Sequence, residues 1–196
     1  MSNFNTIMVP ASSANLGSGF DVIGACLTVW NEINFRKSKF SIENRGFGSK
    51  RLQTSKENLI YRSYIHTSNI YGKKEIELSI RCQNSIPTSG GLGSSSSAII
   101  AGILMACSVH NIDLSTDDIF QIASDIEGHP DNVGPALYGG ITSGFKDLEK
   151  WYISDIKYNK NLKVVSFVSD QKILTNESRA ALPDTISRED AVYNIT

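Results

Sequence analysis

Ile86-Pro-Thr-Ser-Gly-Gly-Leu-Gly-Ser-Ser-Ser-Ser-Ala98, running on into Ile99-Ile-Ala-Gly-Ile-Leu-Met-Ala-Cys107, is the stretch on which the reading of this chain turns. Gly90, Gly91 and Gly93 carry no Cβ, so the loop they form can approach a ligand closely. Ser94 to Ser97 then open an apolar segment that reads as a buried helix. Glycines leading into a helix N-terminus make an anion site, because the first backbone N–H groups are unpaired and the helix dipole turns its positive end there. A Gly/Ser linker entering a core helix has the same composition, so the loop must be weighed with the rest of the chain.

The 196 residues allow one substantial core and part of a second. Hydrophobic residues at 40% and charged residues at 20% describe a globular protein in water, and a net charge of −1 gives no global reason to expect nucleic acid or a membrane surface as a partner. The longest apolar run, Ala98 to Cys107, is too short to span a bilayer and contains Gly102. The N-terminal residues lack the basic start and apolar core of a signal peptide. Cys26, Cys82 and Cys107 are widely spaced among apolar residues and read as reduced thiols, with a cytoplasmic location as the default. The charge distribution is more telling. Between Arg81 and Lys146 there is no Lys or Arg, while Asp113, Asp117, Asp118, Asp125, Glu127 and Asp131 all fall there. A polyphosphate bound by this segment must be held by N–H groups, hydroxyls and a divalent cation, and the lysine-bearing P-loop is excluded.

In chain order, Ile7 to Pro10 reads as a short strand leading into Ala11-Ser-Ser-Ala-Asn-Leu-Gly-Ser-Gly-Phe-Asp21. That small-residue turn brings backbone toward a ligand while Asn15 and Asp21 offer an amide and a carboxylate; both can equally serve neighbouring backbone groups. Strands are expected over Val22–Val29, Asn31–Arg36 and Lys39–Glu43, and a helix over Glu57–Tyr71 stopped by Gly72. Glu75 to Gln83 alternates without a fault, with Ile76, Leu78, Ile80 and Cys82 on one face. Ser115-Thr-Asp-Asp118 reads as a capping box that starts a helix ended by Gly128. Glu127-Gly-His-Pro-Asp-Asn-Val-Gly-Pro135 is too polar and angular for a core, and Gly139-Gly140 precede a strand to Phe145. A linker-like turn at Lys146–Lys150, a strand over Leu162–Val168 and short helices over Thr175–Leu182 and Ser187–Ile195 complete the reading.

Pro87-Thr-Ser-Gly-Gly-Leu-Gly-Ser-Ser-Ser-Ser-Ala98 resembles the phosphate-binding motif of the small-molecule kinase superfamily named for galactokinase, homoserine kinase, mevalonate kinase and phosphomevalonate kinase (GHMP). Pro10-Ala-Ser-Ser-Ala-Asn-Leu-Gly-Ser-Gly-Phe-Asp-Val-Ile-Gly24 and Glu127-Gly-His-Pro-Asp-Asn-Val-Gly-Pro-Ala-Leu-Tyr-Gly-Gly140 resemble the corresponding motifs of the homoserine kinases. The resemblance implies an α+β protein: a ribosomal-protein-S5-domain-2-like ATP-binding domain over residues 1–160, then the start of a ferredoxin-like C-terminal domain over 161–196. It also implies phosphoryl transfer from ATP to L-homoserine, with Mg²⁺, in threonine biosynthesis, and it leaves room for a homodimer.

Carried over residue by residue, the resemblance sets Pro87, Gly90, Gly91, Leu92, Gly93, Ser94, Ser95, Ser96 and Ser97 around the ATP phosphates. Ser95 and Glu127 hold the metal, and oxygen donors of that kind suit a hard cation. Asn58, in Asn58-Leu-Ile-Tyr61, matches the stretch that meets adenine; an Asn before an apolar run is also a helix cap. Asp21 pairs with the substrate ammonium, Asn15 and His129 add hydrogen bonds, and Arg179 grips the carboxylate as a planar guanidinium does well. His66 and His110 have no motif support and read as structural. Asp131 aligns with an acidic residue treated as a base in mevalonate kinases. The expectation here is that Asn132 orients the acceptor hydroxyl and that no strong base is needed, since such transfers depend on positioning and charge neutralisation.

The glycine-serine-glycine-proline motif that closes the nucleotide site downstream in this family does not occur, and Gly144 is the last glycine. The chain is therefore expected to be a fragment or truncated form. Two competing readings are a sugar or isoprenoid-alcohol kinase of the same superfamily and a silent ATP-binding sensor. The opening motif argues against the first, and the retained Ser95, Glu127 and Asn132 argue against the second.

Overall fold

The computed structural model describes residues 4–88, 90–168, 183 and 185–195. The strands are β1 (Asn5–Ala14), β2 (Ile23–Lys37), β3 (Ser41–Gly46), β4 (Leu78–Asn84), β5 (Ile141–Asp147) and β6 (Lys150–Ile156). The helices are α1 (Leu59–Ile70), α2 (Ser94–His110), α3 (Thr116–Glu127), α4 (Val133–Tyr138) and α5 (Arg188–Ile195).

β2 is the axis of the sheet. β1 runs antiparallel along one of its edges; on the other edge β4 pairs with residues 32–37 and β5 with residues 23–25. β3 lies parallel to β4, and β6 pairs antiparallel with β5. The parallel pair needs a crossover, and α1 supplies it. Residues 26–31 of β2 thus lie between its two partners on that edge. Asn31, 4% exposed, fills the start of the gap: its Oδ1 accepts from the N–H groups of Ser85 (2.9 Å) and Ile86 (3.0 Å), prolonging the β2–β4 ladder with a side chain. Buried polar groups persist where they are bonded in this way.

The alternation of β4 buries Leu78, Ile80 and Cys82 against the helices together with Ile33, Phe35 and Ile42. β4 begins at Leu78 rather than Glu75, because the buried Tyr64 hydroxyl takes both backbone groups of Ile76. It donates to Ile76 C=O (2.9 Å) and accepts from Ile76 N–H (3.1 Å). α2 is hydrophobic all round because it is enclosed, packing on α1, α3 and the β1–β2 layer. Gly102 sets its distance from α1: a Cβ there would stand 2.3 Å from the Ile60 carbonyl oxygen. The expected capping box of α3 is present, and Gly128 ends the helix at φ +90°. α1 stops at Tyr71 with Gly72 left-handed beyond it.

Several expectations need correction. Val22–Val29 and Asn31–Arg36 are one strand, bulged opposite Pro10–Ser12, since β1 pairs along both halves. Lys146–Lys150 is no linker but the turn of the β5–β6 hairpin, and Trp151 of β6 is buried with its indole N–H on Asp125 (2.7 Å). The segment after Glu127 is less exposed than its polarity suggested: Asp131, Val133, Gly134 and Pro135 are buried, the last three in α4. Leu162–Val168 does not form a strand; it has no ladder, and Val164, Val165 and Phe167 are exposed. The expected Ser187–Ile195 helix runs over Arg188–Ile195, with Ser187 Oγ before it accepting from Asp190 N–H (3.0 Å). Thr175–Leu182, with Arg179, lies outside the described residues.

No helix among the described residues is long and apolar enough to cross a membrane. All three cysteines are free, and burial pushes the Cys82 thiol up to about 12.

Candidate functional site

A cleft of about 730 Å³ opens where the β1–β2 loop, the β4–α2 loop and the α3–α4 loop meet. Gly91 and Gly93 are left-handed, at φ +69° and +67°. Gly93 is the N-cap of α2 and brings no side chain to cap it, nor is there an acidic residue in the first turn. The N–H groups that open a helix have no intrahelical acceptor, so this end of α2 is left to whatever occupies the cleft. Asn31 holds the cradle from below, through the Ser85 and Ile86 bonds and a donation from Nδ2 to Ser97 Oγ (3.3 Å).

Opposite the cradle, α3 ends on Glu127, and Gly128 turns the chain to deliver three more site residues, His129, Asp131 and Asn132. Glu127 Oε1 accepts from Ser95 Oγ at 2.6 Å, joining the end of α3 to the first turn of α2. A hydroxyl and a largely buried carboxylate converging beside an uncapped helix N-terminus form an oxygen donor set that fits a hard divalent cation. His129 Nδ1 is hydrogen-bonded to Asp131 Oδ1, and its Nε2 lies 3.8 Å from Glu127 Oε1. Asp131 is 1% exposed; its Oδ1 also accepts the Asn132 N–H (2.9 Å), and its Oδ2 has no protein partner among the described residues. Gly24 of β2 allows this loop to come so near, since a Cβ there would stand 1.8 Å from the Asp131 carbonyl oxygen.

The β1–β2 loop forms the third wall. Asn15 and Asp21 are both left-handed, at φ +59° and +55°, a conformation Asn and Asp tolerate better than most residues. Asn15 Oδ1 accepts the Asp21 N–H at 2.8 Å, so half of its amide secures the loop and the other half remains for a ligand. Ligand atoms of Asp21, His129 and Asp131 lie within 4.8 Å of one another. Two carboxyl groups and an imidazole so placed suit a compact cation such as an ammonium.

Of the residues expected here, Asn15, Asp21, Asn58, Pro87, Gly90 to Ser95, Ser97, Glu127, His129, Asp131 and Asn132 all line the cleft. Ser96 does not: its side chain is fully buried, leaving only its backbone for the cradle. Asn58 reaches the cleft wall but its amide is committed as the cap of α1, accepting from Ile60 N–H (3.0 Å) and donating to Gln53 C=O (2.7 Å). Three residues went unread in the sequence. Arg51, which lies outside the lysine-free and arginine-free segment, brings a guanidinium to the wall. Asn31 and Ser12 are buried under the loops and carried no signal of their own, since Asn31 stands beside Glu32 and Asn34 in its strand and Ser12 beside Ser13.

Residues 58–140 match the N-terminal domain model of the GHMP kinases. The homoserine kinase of Clostridium acetobutylicum is 39% identical over 194 residues, covering 97% of this chain and 64% of that one. That of Crocosphaera subtropica is 37% identical over 195 residues, covering 97% and 63%. The chain thus spans just under two thirds of the length of these curated relatives. The crystal structure of a homoserine kinase from Cytophaga hutchinsonii superposes with a TM-score of 0.79 at 23% identity, over 99% of this chain and 64% of that one, a likeness of fold.

Proposed function

We propose that this chain, whose residues 58–140 match the N-terminal domain model of the GHMP kinases, carries the catalytic cleft of a homoserine kinase. The reaction transfers the γ-phosphoryl group of ATP to the hydroxyl of L-homoserine, giving O-phospho-L-homoserine and ADP, and its setting is cytoplasmic threonine biosynthesis. The observation that carries this reading is the meeting of Ser95 and Glu127 at 2.6 Å beside the open end of α2, with the Asp21–His129–Asp131 group on the facing wall.

The backbone of Gly91 to Ser95 receives the phosphates on N–H groups that no side chain caps. Ser95 and Glu127 hold Mg²⁺, which when bound neutralises charge on the phosphate oxygens. Asp21 takes the substrate ammonium, aided by His129 and the free half of the Asn15 amide. Asn132 places the acceptor hydroxyl in line with the γ-phosphorus. Its oxygen bonds to phosphorus as the bond to the β-phosphate oxygen breaks, and its proton passes to an oxygen of the transferred group. Asp131 is a positioning residue in this scheme, since one of its oxygens already accepts from both His129 and the Asn132 backbone.

The test is ADP formation with L-homoserine, mevalonate and galactose as alternative acceptors. Turnover on L-homoserine alone is expected. Turnover on another acceptor, or ATP binding with no turnover, would overturn the assignment. In the same assay Asp131→Asn should keep kcat within about tenfold, because a well-placed general base contributes ~10²- to 10⁴-fold. A loss in that higher range, with both substrates still bound, would make Asp131 the base.

A further inference from the structure

Asn132 occupies the N-cap of α4, the position where an asparagine ordinarily turns its carbonyl back onto the N–H groups of the first turn. Here it makes no such cap. Its Oδ1 instead accepts a hydrogen bond at 2.9 Å from Ser12 Oγ, a residue 120 positions earlier in the chain. Ser12, on β1 opposite the bulge of β2, is fully buried and donates its own N–H to Leu92 C=O (3.3 Å). Gly93 makes room for the pair: a Cβ there would stand 2.1 Å from Ser12 Oγ and 3.0 Å from Asn132 Oδ1. The Asn132 backbone is fixed as well, its N–H on Asp131 Oδ1.

We infer that Ser12 is a positioning residue that locks the Asn132 amide with its NH₂ group, not its carbonyl, toward the reacting atoms; this rests on the proposed kinase reading of the cleft. An asparagine has one carbonyl and one NH₂, so an Oδ1 engaged by Ser12 leaves the donor end for the cleft. Flipping the amide would set NH₂ against a buried hydroxyl whose own proton then loses this acceptor. The consequence is chemical. A locked donor binds the acceptor oxygen, or an oxygen of the transferring group, and cannot take the hydroxyl proton. The substrate O–H is thereby directed to the phosphoryl oxygens, which become the proton's destination.

The experiment is a double-mutant cycle on kcat with L-homoserine and ATP, using Ser12→Ala, Asn132→Ala and the pair. Ser12→Ala should lower kcat about tenfold with both KM values within about twofold, and should lower it no further in the Asn132→Ala background. An equal loss in both backgrounds, or no loss in either, overturns the inference. If Ser12→Ala does not fold, Ser12→Cys, a weak donor of similar shape, takes its place with the same expectations. Wild-type protein that fails to turn over L-homoserine overturns the kinase reading instead. The positioning role is then judged by the ¹⁵N side-chain amide resonances of Asn132, identified by their disappearance in Asn132→Ala. Ser12→Ala should shift them, and unshifted resonances overturn the inference.

Discussion

Ser95 shows how a single atom decides the chemistry of the cleft. Its Oγ is 2.6 Å from Glu127 Oε1, and in the absence of a cradle lysine these two oxygens are the proposed seat of a cation. Ser95→Ala removes one of the two donors and should lower Mg²⁺-dependent turnover by ~10²-fold or more, on the scale of a lost transition-state contact. Titrating activity with Mg²⁺ should also show the half-saturating concentration rising. Unchanged activity and unchanged Mg²⁺ dependence would remove Ser95 from the metal shell. At this scale the sequence was readable wherever geometry forces a residue type. Gly93 had to be glycine because it is left-handed and lies against Ser12. Ser12 itself was not readable, since a serine that positions another side chain looks the same as its neighbour Ser13 until the fold brings Asn132 to it. Asn58 was read in two ways, as a nucleotide contact and as a helix cap; its amide caps α1 while the residue lines the cleft.

Elements whose ends carry their own chemistry were the most legible. α3 announced both ends, by Ser115 with Asp118 and by Gly128. The Ser115 hydroxyl and N–H donate to the Asp118 carboxylate at 2.6 and 2.9 Å and hold its pKa below the usual range. A carboxyl group depressed by folding stabilises the native state above its unfolded pKa, and that contribution is lost as pH falls through the folded value. Asp118→Asn should therefore flatten the acid limb. Urea midpoints of wild type and variant should differ at pH 7 and converge toward pH 3, and a gap that persists at acid pH would contradict the cap. β6 was missed because a hairpin turn of charged residues looks like a linker when its second strand pairs only at the sheet edge. Leu162–Val168 was misread for the opposite reason, an apolar run with no neighbouring ladder. α2 gives a sharper test, because two effects oppose each other at Gly102. Alanine gains ~1 kcal/mol of helix propensity. Its Cβ, however, would meet α1 backbone, at 2.3 Å from Ile60 O and 2.9 Å from Tyr64 N, and overpacking of rigid atoms costs ~1–3 kcal/mol or more. Gly102→Ala should be net destabilising by ~1–2 kcal/mol in urea unfolding. A stabilised variant would mean that α1 can retreat without loss.

Across the whole molecule, the α+β layering sets the start of α2 against β1 and Asn31 of β2, and the cleft inherits the charge of what surrounds it. Residues 82–145 supply the cradle, Glu127 and Asp131, and contain no Lys or Arg. Arg51 is the cationic side chain among the described residues on the cleft wall, and it is exposed. Helix dipoles act over about one turn and each contributes ~0.3–1 kcal/mol at an exposed end, too little to hold a triphosphate beside two carboxylates. On the proposed reading a cation supplies the balance, and removing it should be felt in binding as well as in turnover. Isothermal titration with ATP in EDTA should give a Kd at least ~10-fold weaker than with Mg²⁺, about 1.4 kcal/mol. Glu127→Gln should narrow that gap by removing both the charge that repels bare ATP and the ligand that retains the metal. Arg51→Ala should weaken binding in both conditions by a similar factor, since the guanidinium belongs to the wall and not to the metal shell. Equal ATP affinity with and without Mg²⁺ would show that the cradle itself holds the charge, against the reading of a lysine-free phosphate site.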